Sequence, residues 1–124
     1  LNRLRDASKI GQQSGVEVYR QLAQAICSDF RKLLEKSVED DLLNSIVRRH
    51  RRSITTDNKI HSLALIEKDD CMFIEQLMTK YSCFEHSQST EIPIRIPEEN
   101  ELRSDIESLL KWREELSAKR KSAS

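Results

Sequence analysis

The feature that most constrains this chain is an apolar stripe whose members recur three and four residues apart. Val16, Tyr19, Leu22, Ala23, Ile26, Phe30, Leu33 and Leu34 share one face of a helix. Phe30, Leu34, Val38, Leu42 and Ile46 then continue as a ladder at intervals of four. A ladder of four drifts around a helix of 3.6 residues per turn, so a straight helix carrying it needs two neighbours. Two glycines and two prolines in 124 residues leave little material for tight turns or β-rich architecture. The expected fold is therefore all-α: a small helical bundle with two long helices, a short helical pair and one extended Pro/Ile segment.

The pattern divides the chain as follows. Residues 1–15 mix charged and amide side chains with Leu4, Ile10, Gly11 and Gly15, which reads as a linker or frayed helix. Residues 16–121 form a single helical domain. Its first long helix is expected over 16–51, with a kink or break near 37 as the alternative, because Ser37 and Asp40 resemble a capping box. A short helix at 58–66 buries Ile60, Leu63 and Ala64. A further helix at 68–82 carries Cys71, Ile74, Leu77, Met78 and Tyr81 on its stripe, with Phe73 turned to another neighbour. Across 88–97, Ile92, Ile94 and Ile96 alternate with Pro93, Arg95 and Pro97, an extended arrangement. The last helix, 98–120, bears Leu102, Ile106, Leu109, Leu110 and Leu116, with Trp112 beside them and Lys119, Arg120 and Lys121 matched to its dipole. Residues 122–124 read as a disordered tail.

Charge is where a function would be sought. Twenty-one basic and twenty-one acidic residues cancel, so no bulk charge draws the molecule to nucleic acid and any polyanion site must be local. The local candidate is 40–56, where Asp40 and Asp41 open the stretch and Arg48, Arg49, His50, Arg51 and Arg52 close it. On a helix the four arginines spread around most of a turn and could bracket phosphates through bidentate geometry. The competing account is dipole matching at a helix C-terminus, with solvation or salt bridges for the remainder.

A second candidate is the stretch around Tyr81, where Glu85 beside His86 offers an acid and a proton carrier near neutral pH, with Lys80 and Tyr81 as donors. No separate nucleophile accompanies them, and a polar network at a helix end is the simpler account. His61, among apolar neighbours, reads as a partly buried, satisfied histidine. Cys27, Cys71 and Cys83 have no metal-ligand spacing; Cys27 and Cys71 fall on apolar faces as small buried hydrophobes. No metal, no cofactor and no membrane span is expected, and no nucleotide-binding or hydrolase motif occurs. A reducing, cytoplasmic compartment fits this composition. Leu1 and the sparse apolar content of the opening are what a piece of a longer polypeptide would show.

Three stretches carry a family likeness: ICSDFRKLLEKSVEDDLLNSIVRRHRRSI at 26–54, DDCMFIEQLMTKYSCFEHS at 69–87 and IPEENELRSDIESLLKW at 96–112. Together they resemble the C-terminal helical region of large bacterial SMC-like ATPases, the broad group that includes the defence-associated anticodon-nuclease ATPases. The resemblance spans roughly residues 26–112 and includes none of the ATPase motifs. It implies a module serving a larger cytoplasmic machine. On that footing the expected function is a non-catalytic helical interaction domain, packing on its parent chain or pairing as a homodimer. The alternative is an effector that binds nucleic acid or cleaves RNA through Arg48, Arg49, Arg51 and Arg52, with Glu85 and His86 as the catalytic candidates.

Overall fold

The computed structural model describes residues 1–56, 59–82 and 96–123. Every regular element among them is helical: α1 (Asn2–Ser14), α2 (Val16–Ser37), a π-helical turn (Val38–Leu42), a 3-10 turn (Ile60–Leu65), α3 (Lys68–Lys80) and α4 (Glu99–Ala123). The all-α helical bundle expected from the periodicity is what the chain forms. The segment 83–95, which holds Glu85, His86 and most of the expected extended stretch, lies outside the described residues, as do Asp57 and Asn58.

Of the two expectations for the opening residues, a linker or a frayed helix, the chain forms a helix, and it is packed on the bundle. Leu4 is fully buried and Ala7 nearly so, both in the common core. Two apolar residues one turn apart suffice because α1 has a ready surface in α2, against which it folds as an antiparallel hairpin. Arg3 pairs with Asp29, and Ala7 and Ile10 face Leu22 and Ile26. Gly15, the single residue between the helices, makes the reversal at φ 102°, a conformation a Cβ would strain.

The expected long helix over 16–51 is shorter. Regular α-helix stops at Ser37, widens into the π turn and ends at Leu42, so the alternative of a break near 37 describes the backbone better. Ser37 makes no capping hydrogen bond, so the break starts no new helix. Instead the chain leaves through Asn44 (φ 49°) and Ser45 (φ 62°), left-handed positions that end helices. The reason lies in the neighbours. α4 runs alongside α2 and is nearly exhausted where Arg120 meets Asp41 and Leu42. Beyond that point a drifting apolar ladder has nothing to lie against.

α3 runs antiparallel to α4, with Phe73 against Trp112 (ring centroids 6.0 Å apart) near one end and Lys80 against Asp105 near the other. Ile74, Leu77 and Tyr81 face the core, and Phe30 meets Tyr81 edge-on at 4.8 Å. Arg31 of α2 is buried in this interface and donates to the Met78 carbonyl at 2.6 Å. The core from α1 through α4 is one cluster that includes Leu34, Leu102, Ile106, Leu109, Trp112 and Leu116.

Several local expectations are corrected. Cys71 is exposed, whereas Cys27 is buried. Where a helix over 58–66 was expected, Ile60–Leu65 is a 3-10 turn whose inward residue is Ser62; Ile60 and Ala64 are exposed, Leu63 is half-buried and His61 faces solvent. Three residues per turn select a different face from 3.6, which moves the inward position from the apolar residues to Ser62. Leu110 is exposed and Trp112 takes its place in the core. Leu102, Ile106, Leu109 and Leu116 already fill the inner stripe, and Leu110 sits about 100° from Leu109. Helix α4 continues to Ala123, through residues expected to be tail.

Candidate functional site

The four arginines sit on a closed loop after α2, rather than around a helix. Leu43 N–H reaches back to the Val38 carbonyl at 2.9 Å and Ser45 N–H to that of Glu39 at 2.7 Å, which completes the helix end. Ile46 is buried, and its carbonyl accepts the Thr55 N–H at 2.8 Å. Residues 46–55 thus form a loop with joined ends, of the compact surface kind.

Within that frame most of the arginine charge is paired within the chain. Arg48 reaches the Asp40 carboxylate at 3.0 Å and the Ser45 hydroxyl at 2.7 Å. Arg49 donates to Glu39 from its backbone N–H (3.0 Å) and from Nε (3.2 Å), and lies 3.8 Å from Glu35. Arg51 bonds the Ser45 carbonyl and the Thr55 hydroxyl, bracing the neck of the loop. The physical need is plain. The π turn that follows α2 carries Glu39, Asp40 and Asp41, three acids at the negative pole of a helix dipole, where they repel one another and the terminal carbonyls. Arginines folded back from the loop supply the compensating charge. The Arg49 N–H bond, with the Arg49 side chain behind it, holds the Glu39 carboxyl below its ordinary range.

Arg52 is different. It is exposed and has no hydrogen-bond or ion-pair partner among the described residues, and His50 beside it is exposed too. The loop also shows aliphatic side chains to water, Val47 at 44% and Ile54 at 62% exposure. Residues 43–56 contain four arginines and no acid.

The far side of this junction belongs to α4. Arg113 pairs with Asp41 at 2.9 Å, and Arg120 donates to the Asp41 carbonyl and, at 2.9 Å, to that of Leu42. Burial lowers the Arg120 pKa, with Asp41 opposing. An open cleft of about 280 Å³ is lined by Asp40, Asp41, Asn44, Arg113, Arg120 and Lys121. Its two acids are paired, Asp40 with Arg48 and Asp41 with Arg113, and Arg120 is spent on backbone carbonyls.

The second candidate comes together only in part. Glu85 and His86 lie outside the described residues. The donors Lys80 and Tyr81 do converge, on two acids of α4 that the sequence reading did not single out. Lys80 lies 2.6 Å from Asp105 and 2.7 Å from Glu101, and the Tyr81 hydroxyl donates to Asp105 at 2.6 Å. Desolvation pulls the Lys80 pKa down, but its bonds to Asp105 and Glu101 outweigh this and the net shift is upward. Burial, then the bond to Asp105, drives the Tyr81 phenol far above its ordinary value. A lysine held charged and a phenol held neutral are a lock on the α3–α4 interface, ill-suited to move protons near pH 7. Glu101 and Asp105 were legible as an i, i+4 acidic pair, but Lys80, the cation that both of them meet, is more than twenty residues away.

Among the described residues no group of three His, Cys, Asp or Glu side chains is placed to hold a metal ion, and no helix is long and apolar enough to cross a membrane. No family model, no curated protein and no solved structure matches this chain.

Proposed function

We propose that this chain is a non-catalytic helical interaction domain, with the loop after α2 as its contact surface. In the setting its sequence resemblance implies, it belongs to a larger cytoplasmic ATPase and packs on that parent chain or on a second copy. The observation that carries the reading is the division of labour among side chains. Ionisable groups that might do chemistry are committed to fastening helices, as in Lys80–Asp105–Tyr81 and Arg48–Asp40. Meanwhile Val47 and Ile54 of the loop stand in water. Exposed aliphatic side chains on an acid-free loop suit a protein contact.

The exposed Arg52 favours the rival, a nucleic-acid-binding or RNA-cleaving effector. Yet residues 43–56 contain no Phe, Tyr or Trp, and His50 is the one ring there on which a base could stack. Titration with an RNA hairpin and with duplex DNA over a salt series separates the two. The interaction reading expects negligible affinity at low salt and no RNA cleavage. Tight binding that falls steeply with salt and is abolished by Arg51→Glu with Arg52→Glu would establish the rival instead.

A further inference from the structure

We infer that residues 43–51 have a second state, in which they continue α2 as helix, and that Arg120 is the latch that holds them in the loop. In an unbroken α-helix the Asp41 carbonyl would accept from the Ser45 N–H, and the Leu42 carbonyl from the Ile46 N–H. In the structure both carbonyls accept from the Arg120 guanidinium instead, that of Leu42 at 2.9 Å. The two displaced N–H groups find other acceptors. Ser45 donates to the Glu39 carbonyl at 2.7 Å, and Ile46 to the Leu43 carbonyl at 2.9 Å. Arg120 and a further turn of helix therefore compete for the same two acceptors, and exchanging one for the other leaves neither carbonyl unpaired.

The turn that Arg120 completes runs against the local sequence. Asn44 (φ 49°) and Ser45 (φ 62°) are consecutive left-handed residues and neither is glycine, so the backbone there is strained. The π turn before them is itself a rare geometry. From Val16 to Arg52 there is no glycine or proline to stop a helix, and Phe30, Leu34, Val38, Leu42 and Ile46 keep a helical spacing past the break. The chain is also long enough. Carrying helix from Asn44 to Arg51 adds about 10 Å, and residues 52–59 can span about 26 Å on the way back to Ser62, which lies 3.2 Å from Asn44. The loop is the lower state because Ile46 is buried in it and the Ile46 carbonyl takes the Thr55 N–H. In the helical state Arg48 stands about 12 Å along the axis from Asp40, which breaks a pair that is 3.0 Å apart in the loop. The switch thus decides whether Arg48 and Arg49 are spent on the acids after α2 or presented at a helix end.

The test is nuclear magnetic resonance of the full chain and three variants, with Cα shifts and relaxation dispersion read over residues 43–51 and the resonances of Leu34 and Leu109 as the check on folding. Asn44→Ala with Ser45→Ala replaces the left-handed pair by the best helix former and removes their bonds to Ser62 and Arg48. Its shifts over 43–51 should move to helical values, and its ellipticity at 222 nm should deepen. Asn44→Gly with Ser45→Gly relieves the strain and weakens a helix, so it should keep the loop shifts and lose the exchange. Arg120→Met should raise the helical population by roughly tenfold. Each crossing also breaks the bonds from the Leu43 and Ser45 N–H groups, so amide exchange should quicken there. An alanine pair that keeps the loop shifts, or goes to unstructured values, overturns the inference. If that pair disturbs the core, Arg120→Met decides alone, and no helical population in it overturns the inference.

Discussion

Arg120, near the end of the last helix, closes the end of α2 by donating to the backbone carbonyl of Leu42 at 2.9 Å, across 78 positions of sequence. The same guanidinium takes the Asp41 carbonyl. Helix ends leave carbonyls without intrahelical partners, and here a side chain from another helix satisfies two of them. Arg120→Met keeps the aliphatic stem and removes the donors. It should destabilise the fold by about 1–3 kcal/mol in chemical denaturation. Amide exchange should rise most in the π turn and the neck of the loop.

Leu34 and Leu110 are both leucines on stripes legible in the sequence, and they should respond oppositely to truncation. Leu34 is fully buried among α2's partners, so Leu34→Ala should cost about 2–5 kcal/mol. Leu110 is 40% exposed, so Leu110→Ala should shift stability of the monomer by under about 0.5 kcal/mol. Denaturant midpoints measured at low protein concentration compare the two directly.

Tyr81 is buried and bonded to Asp105, and burial also raises the Tyr19 phenol. Both phenols therefore titrate later in the folded chain than in the unfolded one. Stability from this source is fully present below the ordinary value of 10.0 and is lost as pH rises beyond it. Ultraviolet titration of the native protein should show no phenolate step at the ordinary position, and the step should return in denaturant. Tyr81→Phe removes one bond to Asp105 and should cost about 1–2 kcal/mol.

Glu39 has its pKa lowered by the Arg49 N–H, so the sign is reversed. Its contribution is present above the ordinary carboxyl value of 4.5 and is lost as pH falls through the lowered folded value. The Arg49 amide resonance should report that loss, moving with a midpoint below 4.5 as the carboxylate takes up its proton. Glu39→Gln should abolish the transition while leaving the core resonances in place.

Much of the architecture was legible because burial follows periodicity. Ile26, Phe30, Leu34, Ile74, Leu77, Leu102, Ile106 and Leu109 were all readable as inward positions from spacing alone, and they form the core. The candidate site was legible as a composition and misread as a geometry. Arg48, Arg49, Arg51 and Arg52 were recognised as a concentration of charge, but on an expected helix they would have fanned around its end. The loop folds three of them onto Asp40, Glu39, Glu35 and its own neck.

What the amino-acid sequence by itself determined is the helical class, the identity of the apolar stripes and the strong local charge after α2, because these follow from 3.6-residue periodicity and composition. Where α2 stops, which arginines are paired within the loop, and which helix answers Lys80, Asp41 and Asp70 were decided only by tertiary structure. Trp112 donates to Asp70 at 2.9 Å and Lys119 to the Leu65 carbonyl at 2.7 Å, so α4 finishes the ends of elements far from it in sequence. Such pairings depend on which helix lies alongside and where it ends, and no local pattern encodes that distance.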